Sequence, residues 1–294
     1  MREAPIPLRS RIAAAVIDHS PTWSVFAATK AMGAAARIPL PRPVSRAAIA
    51  VYRRYFDVAL DDVAPDALAR GFDSFDAFFT RPLRPGARPM ESAPEVSVVS
   101  PCDGAVRSFG TIDPALEVVA KGLRYEIPQL LTDEALAAEL VGGSHVTIYL
   151  HPRDYHRVHA PVGGDIRKVI AVPGRLLPVN DAALHRNPEL FTVNERVVHV
   201  IDTADGPVVA VMIAAFGVGH MTCSYLGVRP HPRDVEVMEC TPPVEIERGG
   251  ELGMFHLGST VVLLTGPGHR PVNDLKEGPI RLGMALLRRA GGDA

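Results

Sequence analysis

The spacing of apolar residues changes character along the chain. Over 22–36 and 43–56 they recur at helical intervals, and Pro39, Pro41 and Pro43 punctuate the gap, so two helices are expected. Phe72, Phe75, Phe78 and Phe79 repeat at three- and four-residue steps, which predicts a short helix with one buried face. The run TRPLRPGARP at 80–89 ends it, and spacing alone reads this run as a solvated linker. From residue 96 the pattern becomes short apolar or alternating runs. Strands are expected at 96–99, 106–110, 145–150, 166–172, 195–201, 208–214 and 260–264. Residues 133–141 read as a short helix capped by Thr132, and 280–289 is amphipathic at either period. The expected fold is mainly β with N-terminal helices (α+β), without internal repeats.

Composition sharpens this picture. Of 294 residues 47% are hydrophobic, enough for a sizeable core, and 27 scattered prolines argue against a mostly helical chain. The net charge of −2 predicts no nucleic-acid partner. That charge is unevenly placed: nine basic and two acidic residues give +7 in the first 54 positions, leaving −9 for the rest. A basic, alanine-rich start fits an anionic membrane surface, and it fits equally a helical cap with solvated arginines. The apolar run 12–17 is too short to span a bilayer, and no secretory signal is evident. Domains are expected at 1–70, helical and basic, and at 71–294, β-rich. Cys102, Cys223 and Cys240 form no CxxC pair and are expected as buried free thiols.

Three histidines fall within HPRDYHRVH, at His151, His156 and His159, directly after the strand expected at 145–150. No HExxH or cysteine pair completes a metal site, so no metal is expected, and acid–base work suits the cluster better. Asp103 lies in SPCDG, a turn sequence, and Ser259 in HLGST, with no GxSxG elbow around it. An Asp, a His and a Ser are the ingredients of an activated hydroxyl, although spacing does not show that they meet. No GxGxxG or Walker sequence supports nucleotide binding.

Taken in order, FDAFFTRPLRPGARP (75–89), SPCDG (100–104), YLHPRDYHRVHAP (149–161), VPGRLLPVN (172–180), Asn194-Glu195-Arg196 and ELGMFHLGST (251–260) resemble the phosphatidylserine decarboxylases, over about residues 70–270. The resemblance implies a pyruvoyl-dependent enzyme made as a precursor, with a β-rich hybrid-type barrel or sandwich as its catalytic core. It implies a break between Gly258 and Ser259, giving a β chain of 1–258 and an α chain of 259–294 that stay together. It assigns self-processing to Asp103, His159 and Ser259, with His159 taking the serine proton and Asp103 orienting it. Ser259 becomes the pyruvoyl cofactor. His156 matches a family histidine of substrate handling and proton transfer, and either His156 or His159 is the candidate proton donor in decarboxylation. The implied reaction forms a Schiff base with the substrate amine, releases carbon dioxide, and turns phosphatidylserine into phosphatidylethanolamine. Trp23, Phe26 and Ile38 would then help hold the enzyme peripherally on the cytoplasmic face of the cell membrane, against anionic lipid. A homodimer is compatible with that setting. Phe216, His220 and Cys223 depart from the family's glycine-rich, aliphatic version of 214–224.

Three other readings remain open on sequence alone. An ordinary serine hydrolase using Asp103, His159 and Ser259 predicts an intact chain that a fluorophosphonate labels at Ser259. A noncatalytic membrane-binding module predicts tolerance of Ser259→Ala. The same chemistry on another amino-acid head group requires only an amine beside a carboxylate.

Overall fold

A computed structural model describes residues 20–291 except 121–122, 180–182, 184–185, 188, 218–219, 229–230 and 257–258. The apolar run 12–17 and Gly258 therefore lie outside the described residues. The helices are α1 (Thr22–Arg37), α2 (Arg42–Phe56), α3 (Pro65–Arg70), α4 (Phe75–Phe79), α5 (Ile127–Leu131), α6 (Glu134–Glu139) and α7 (Leu190–Val193). The strands are β1 (Val96–Val99), β2 (Gly104–Thr111), β3 (Glu117–Ala120), β4 (Leu123–Glu126), β5 (Ser144–Leu150), β6 (Arg157–His159), β7 (Gly164–Val172) and β8 (Arg196–Asp202). They continue as β9 (Val208–Ala214), β10 (Met221–Cys223), β11 (Glu236–Ile246), β12 (Glu251–Phe255), β13 (Ser259–Thr265), β14 (His269–Pro271), β15 (Gly278–Ile280) and β16 (Ala285–Arg289).

An antiparallel eight-stranded sheet in the order β11-β7-β8-β9-β13-β5-β2-β15 forms the body. Small sheets β1-β16-β14 and β10-β12-β6 flank it, with the hairpin β3-β4. The expected α+β architecture with N-terminal helices is present, and of the expected barrel or sandwich the barrel is corrected: among the described residues no sheet closes on itself. Strands β9 and β13 are buried at every position, which explains why their sequences read as continuous apolar runs rather than as alternation. Asn194 and Arg196 lock the sheet to its cover. The Asn194 side chain bonds both backbone groups of Leu177 and the Ala214 carbonyl, while the Arg196 guanidinium donates to the carbonyls of Leu130, Gln129, Thr192 and Asn194.

Several expected elements shift for local reasons. Thr132 does not cap α6: it ends α5 in the left-handed region at φ 55°, and the Asp133 side chain accepts the Leu136 N–H at 3.0 Å instead. Residues 280–289 are neither one helix nor one strand. Gly283, at φ 88°, turns the chain between β15 and β16 where an added Cβ would stand 2.4 Å from the Pro89 carbonyl oxygen. Strand β11 escapes a sequence reading because Pro242 and Pro243 interrupt it. It sits at the sheet edge, with its register broken between Glu239 and Val244, where missing N–H groups are tolerated. Of the cysteines only Cys102 is fully buried, and Cys223 and Cys240 are half-buried.

Helices α2 and α4 share a small aromatic core of Ile49, Val58 and Phe78 with Tyr52, Phe56, Phe72 and Phe75. This core spans position 70 and docks the N-terminal helices onto the body. The Tyr52 hydroxyl donates to the Pro152 carbonyl at 3.0 Å, so α2 directly contacts the loop that follows β5. Among the described residues no helix is long and apolar enough to cross a membrane.

Candidate active site

Ser259 is the first residue of β13, paired with Leu150 at the end of β5 on one side and with Ala214 at the end of β9 on the other. Its side chain is 0% exposed and its Oγ has no hydrogen-bond partner. Thr147 and Thr260 also carry orphaned hydroxyls, so that state alone does not mark a site. Position does: Ser259 pairs with Leu150, where β5 hands the chain to the loop 151–156.

That loop carries the histidines. Its turn is closed by the Asp154 carboxylate accepting the His151 N–H at 2.7 Å, and by the Arg81 guanidinium donating to the carbonyls of Arg153 and Asp154. His156 follows, fully buried, with its ring 4.0 Å from that of Phe79 between centroids. Its Nδ1 donates to the Asp154 carbonyl at 2.9 Å, which leaves Nε2 as a lone-pair nitrogen without a partner. Burial pushes the His156 pKa down to about 3, so the ring is neutral near pH 7 and must first gain a proton before it can act as a donor. The Phe255 N–H donates to the His156 carbonyl, tying this residue to the strand that leads toward Ser259.

His159 ends β6, opposite Glu251 of β12. Its backbone N–H donates to the Pro101 carbonyl at 2.8 Å, which seats β6 against the turn holding Asp103. Its Nδ1 donates to the Gly249 carbonyl at 2.8 Å, and the Tyr155 hydroxyl lies 3.0 Å from Nε2. Burial lowers its pKa, and the hydrogen bond to the Gly249 carbonyl, followed by the charges of Glu251 and Asp103, partly opposes that effect.

Asp103 is 7% exposed and is held by two N–H groups of Arg88, at 2.8 and 2.6 Å, and by the Leu282 N–H at 2.9 Å. The adjoining Gly104 lets β2 pass close to β5: a Cβ there would lie 2.5 Å from the Tyr149 carbonyl oxygen. Arg88 also reaches Asp62 at 2.7 Å, and these carboxylates hold its pKa above the ordinary value. Asp103 and Arg88 line a cavity of about 360 Å³ together with Arg81, Asp154 and Tyr155, and Ser259, His156 and His159 lie outside its wall.

The structure thus brings Asp103 and His159 onto adjoining segments, where the carboxylate acts on the ring through its charge. No hydrogen bond joins Asp103 to His159, or Ser259 to either histidine. In the run read as a solvated linker, Arg81 is buried and Arg88 half-buried, and both hold groups of the site, a correction that spacing does not reveal because their carboxylate and carbonyl partners come from distant segments. Sequence reading also passed over Tyr155, although it lies inside the histidine motif. The departures from the family pattern include His220, whose ring stacks on His256 at 3.9 Å and 10°. His256 is bonded to Asp76 of α4 at 2.7 Å, and His220 accepts from Arg37 of α1 at 3.1 Å. These contacts connect the N-terminal helices to the approach to Ser259.

A family model described as phosphatidylserine decarboxylase matches residues 75–288. A protein of Myxococcus xanthus (strain DK1622) is 38% identical over 258 residues, covering 87% of this chain and 91% of its own. One from Anaeromyxobacter sp. (strain K) is 41% identical over 252 residues, covering 82% and 86%. One from Pseudomonas aeruginosa (PAO1) is 40% identical over 246 residues, covering 81% and 84%. Each of the three is described as a phosphatidylserine decarboxylase proenzyme.

Proposed function

The chain belongs to the phosphatidylserine decarboxylase family, of the prokaryotic pyruvoyl-dependent type, and from that premise we propose how its own residues carry out self-processing and decarboxylation. Its activity is the conversion of phosphatidylserine to phosphatidylethanolamine and carbon dioxide after autocatalytic processing. The observation that carries the residue assignment is the Ser259 hydroxyl: buried, without a partner, at the entrance of the central strand.

In this reading His159 accepts the Ser259 proton at Nε2 and the Ser259 oxygen attacks the Gly258 carbonyl. The acyl C–N bond breaks, the Ser259 nitrogen takes the proton and an ester forms. Elimination then releases Gly258 as a carboxylate and opens the chain. Asp103 favours the protonated imidazole through its charge. The Oγ of Ser259 and the Nε2 of His156 are both left without a partner, which suits a site where a carbonyl cofactor replaces the serine. Once formed from Ser259, the pyruvoyl group supplies the electron sink for loss of the carboxylate. In this reading His156 first takes up a proton at its unpartnered Nε2 and then delivers it to the carbon that has lost the carboxylate.

Residues 259–294 remain with 1–258 without a covalent link. Strand β13 is bonded on both edges, β15 pairs with β2, and β16 pairs with β1. The buried side chains Val261, Val262, Leu263, Leu264, Leu286 and Leu287 each contribute about 1.5–3 kcal/mol of burial to that association. In this reading residues 1–70 are the helical, membrane-associating region and 71–294 the catalytic domain, held together by the aromatic core that α2 and α4 share.

Carboxyl-labelled phosphatidylserine in vesicles tests the substrate assignment. Release of labelled carbon dioxide matched by phosphatidylethanolamine is expected, and release from free serine or another amino-acid head group at an equal rate contradicts it.

The peripheral location rests on the outer face of α2. Val44, Val51 and Tyr55 are exposed, and with Ala47, Ala48 and Phe75 they line an apolar groove of about 650 Å³ beside Arg42, Arg46, Arg53 and Arg54. Trp23 and Ile38 are exposed as well, whereas Phe26 packs edge-on against His231, 5.0 Å between centroids, and belongs to the fold rather than the surface. Such a face suits the anionic cytoplasmic surface of the cell membrane. Substituting aspartate at Val51 and Tyr55 together is expected to lower flotation with anionic vesicles at least about tenfold while chain processing continues. Unchanged flotation contradicts the assignment. A homodimer on that surface is compatible with the arrangement, and crosslinking on vesicles distinguishes it from a monomer.

A further inference from the structure

Both ring nitrogens of His159 are engaged, and their partners fix its state. The Gly249 carbonyl can only accept, so Nδ1 carries the proton, and Nε2, 3.0 Å from the Tyr155 hydroxyl, accepts from it. The two rings lie 26° from parallel with centroids 5.7 Å apart, and Tyr155 is 5% exposed. In a Ser–His–Asp arrangement the carboxylate usually selects the tautomer. Here the Asp103 oxygens are occupied by Arg88 and Leu282, so that task falls to other groups.

We propose that Tyr155 is the positioning residue of His159 during self-processing. Its hydroxyl and the Gly249 carbonyl hold the imidazole as the Nδ1–H tautomer, with Nε2 as the basic nitrogen that receives the Ser259 proton. The assignment rests on the processing reading above. When the proton transfers, the Ser259 O–H bond breaks, the Nε2–H bond forms, and the Tyr155 hydroxyl turns from Nε2 and keeps its own proton.

The pH dependence follows from what faces the ring. Arg157 lies on its own strand, Glu251 on β12, and Asp103 in the adjoining turn, while Arg88 and Arg157 face Tyr155. A hydrogen bond donated to Nε2 favours the neutral imidazole, as burial does. Removing it raises the proton affinity of His159, so the free base appears only at higher pH.

The test follows cleavage of the full-length chain made by cell-free synthesis across a pH series. Tyr155→Phe keeps the ring stack and removes only the donor. Cleavage about tenfold slower is expected, with the rising limb of the pH profile moved up by about half a unit. A ring-fluorinated tyrosine placed at 155 keeps the shape and strengthens the donor, and the limb is expected to move down. Should the Phe variant fail to fold, the fluorinated protein alone decides: an unmoved limb overturns the proposal. A Phe variant that cleaves at the wild-type rate, or more slowly with an unmoved limb, overturns it too. A wild-type chain that never cleaves overturns both this assignment and the processing reading. Wild-type cleavage with no effect of either replacement overturns this assignment alone.

Discussion

Ser259→Ala is expected to leave one uncut polypeptide, folded as before, with decarboxylation at background. The two halves of this result have different physical origins. Activity disappears because the hydroxyl is both the attacking group and the source of the carbonyl cofactor, so the loss is complete rather than partial. Stability is retained because Ser259 Oγ has no hydrogen-bond partner, so its removal breaks no bond. Removing a buried unsatisfied polar group relieves about 1–3 kcal/mol of desolvation cost, so Tm should hold or rise. The hydrolase reading also predicts lost activity, but its wild-type chain is intact as well, and gel mobility separates the two. A membrane-binding module would keep its function in this variant.

The second large effect belongs to Arg88. Replacing it with leucine leaves Asp103 with only the Leu282 N–H, and Asp62 without its 2.7 Å partner. Because Arg88 and Asp103 each have 10% exposed side chains, stranding the carboxylate is expected to cost about 3–5 kcal/mol. In a chain of this size that corresponds to a fall in Tm of roughly 6–20 °C. Processing should slow as well, since Arg88 fixes the carboxylate whose charge favours protonation of His159. Adding Asp103→Asn to the leucine variant should cost little more, giving a coupling of about 2 kcal/mol or more in a double-mutant cycle of denaturant unfolding. Strictly additive losses would show that the two residues act separately.

Which of these features a sequence reader can see depends on the range of the physics behind them. Helices α1 and α2 and strands β7, β9 and β13 are announced by local periodicity, because each buries a face or a whole strand whose pattern is written in consecutive residues. The motif residues Asp103, His156, His159 and Ser259 are visible as chemistry-bearing types in unusual settings. Their pairing is not visible. That Asp103 turns to Arg88 while His159 turns to Gly249 depends on the turn at Gly283 and on the register of β6 against β12, both set by distant chain. Strand β11 was hidden for the opposite reason: its prolines signal a break everywhere except at a sheet edge. The open sheet was hidden too, since strand identity says nothing about closure.

The most direct test of the account is the intact mass of the purified, denatured protein. Two polypeptides are predicted, 1–258 and 259–294. The smaller should be about 17 Da lighter than an unmodified Ser259–Ala294 fragment, because forming a pyruvoyl end removes ammonia. A single chain of full mass, from protein shown to be folded and active on phosphatidylserine, would contradict the claim that Ser259 is converted into the cofactor.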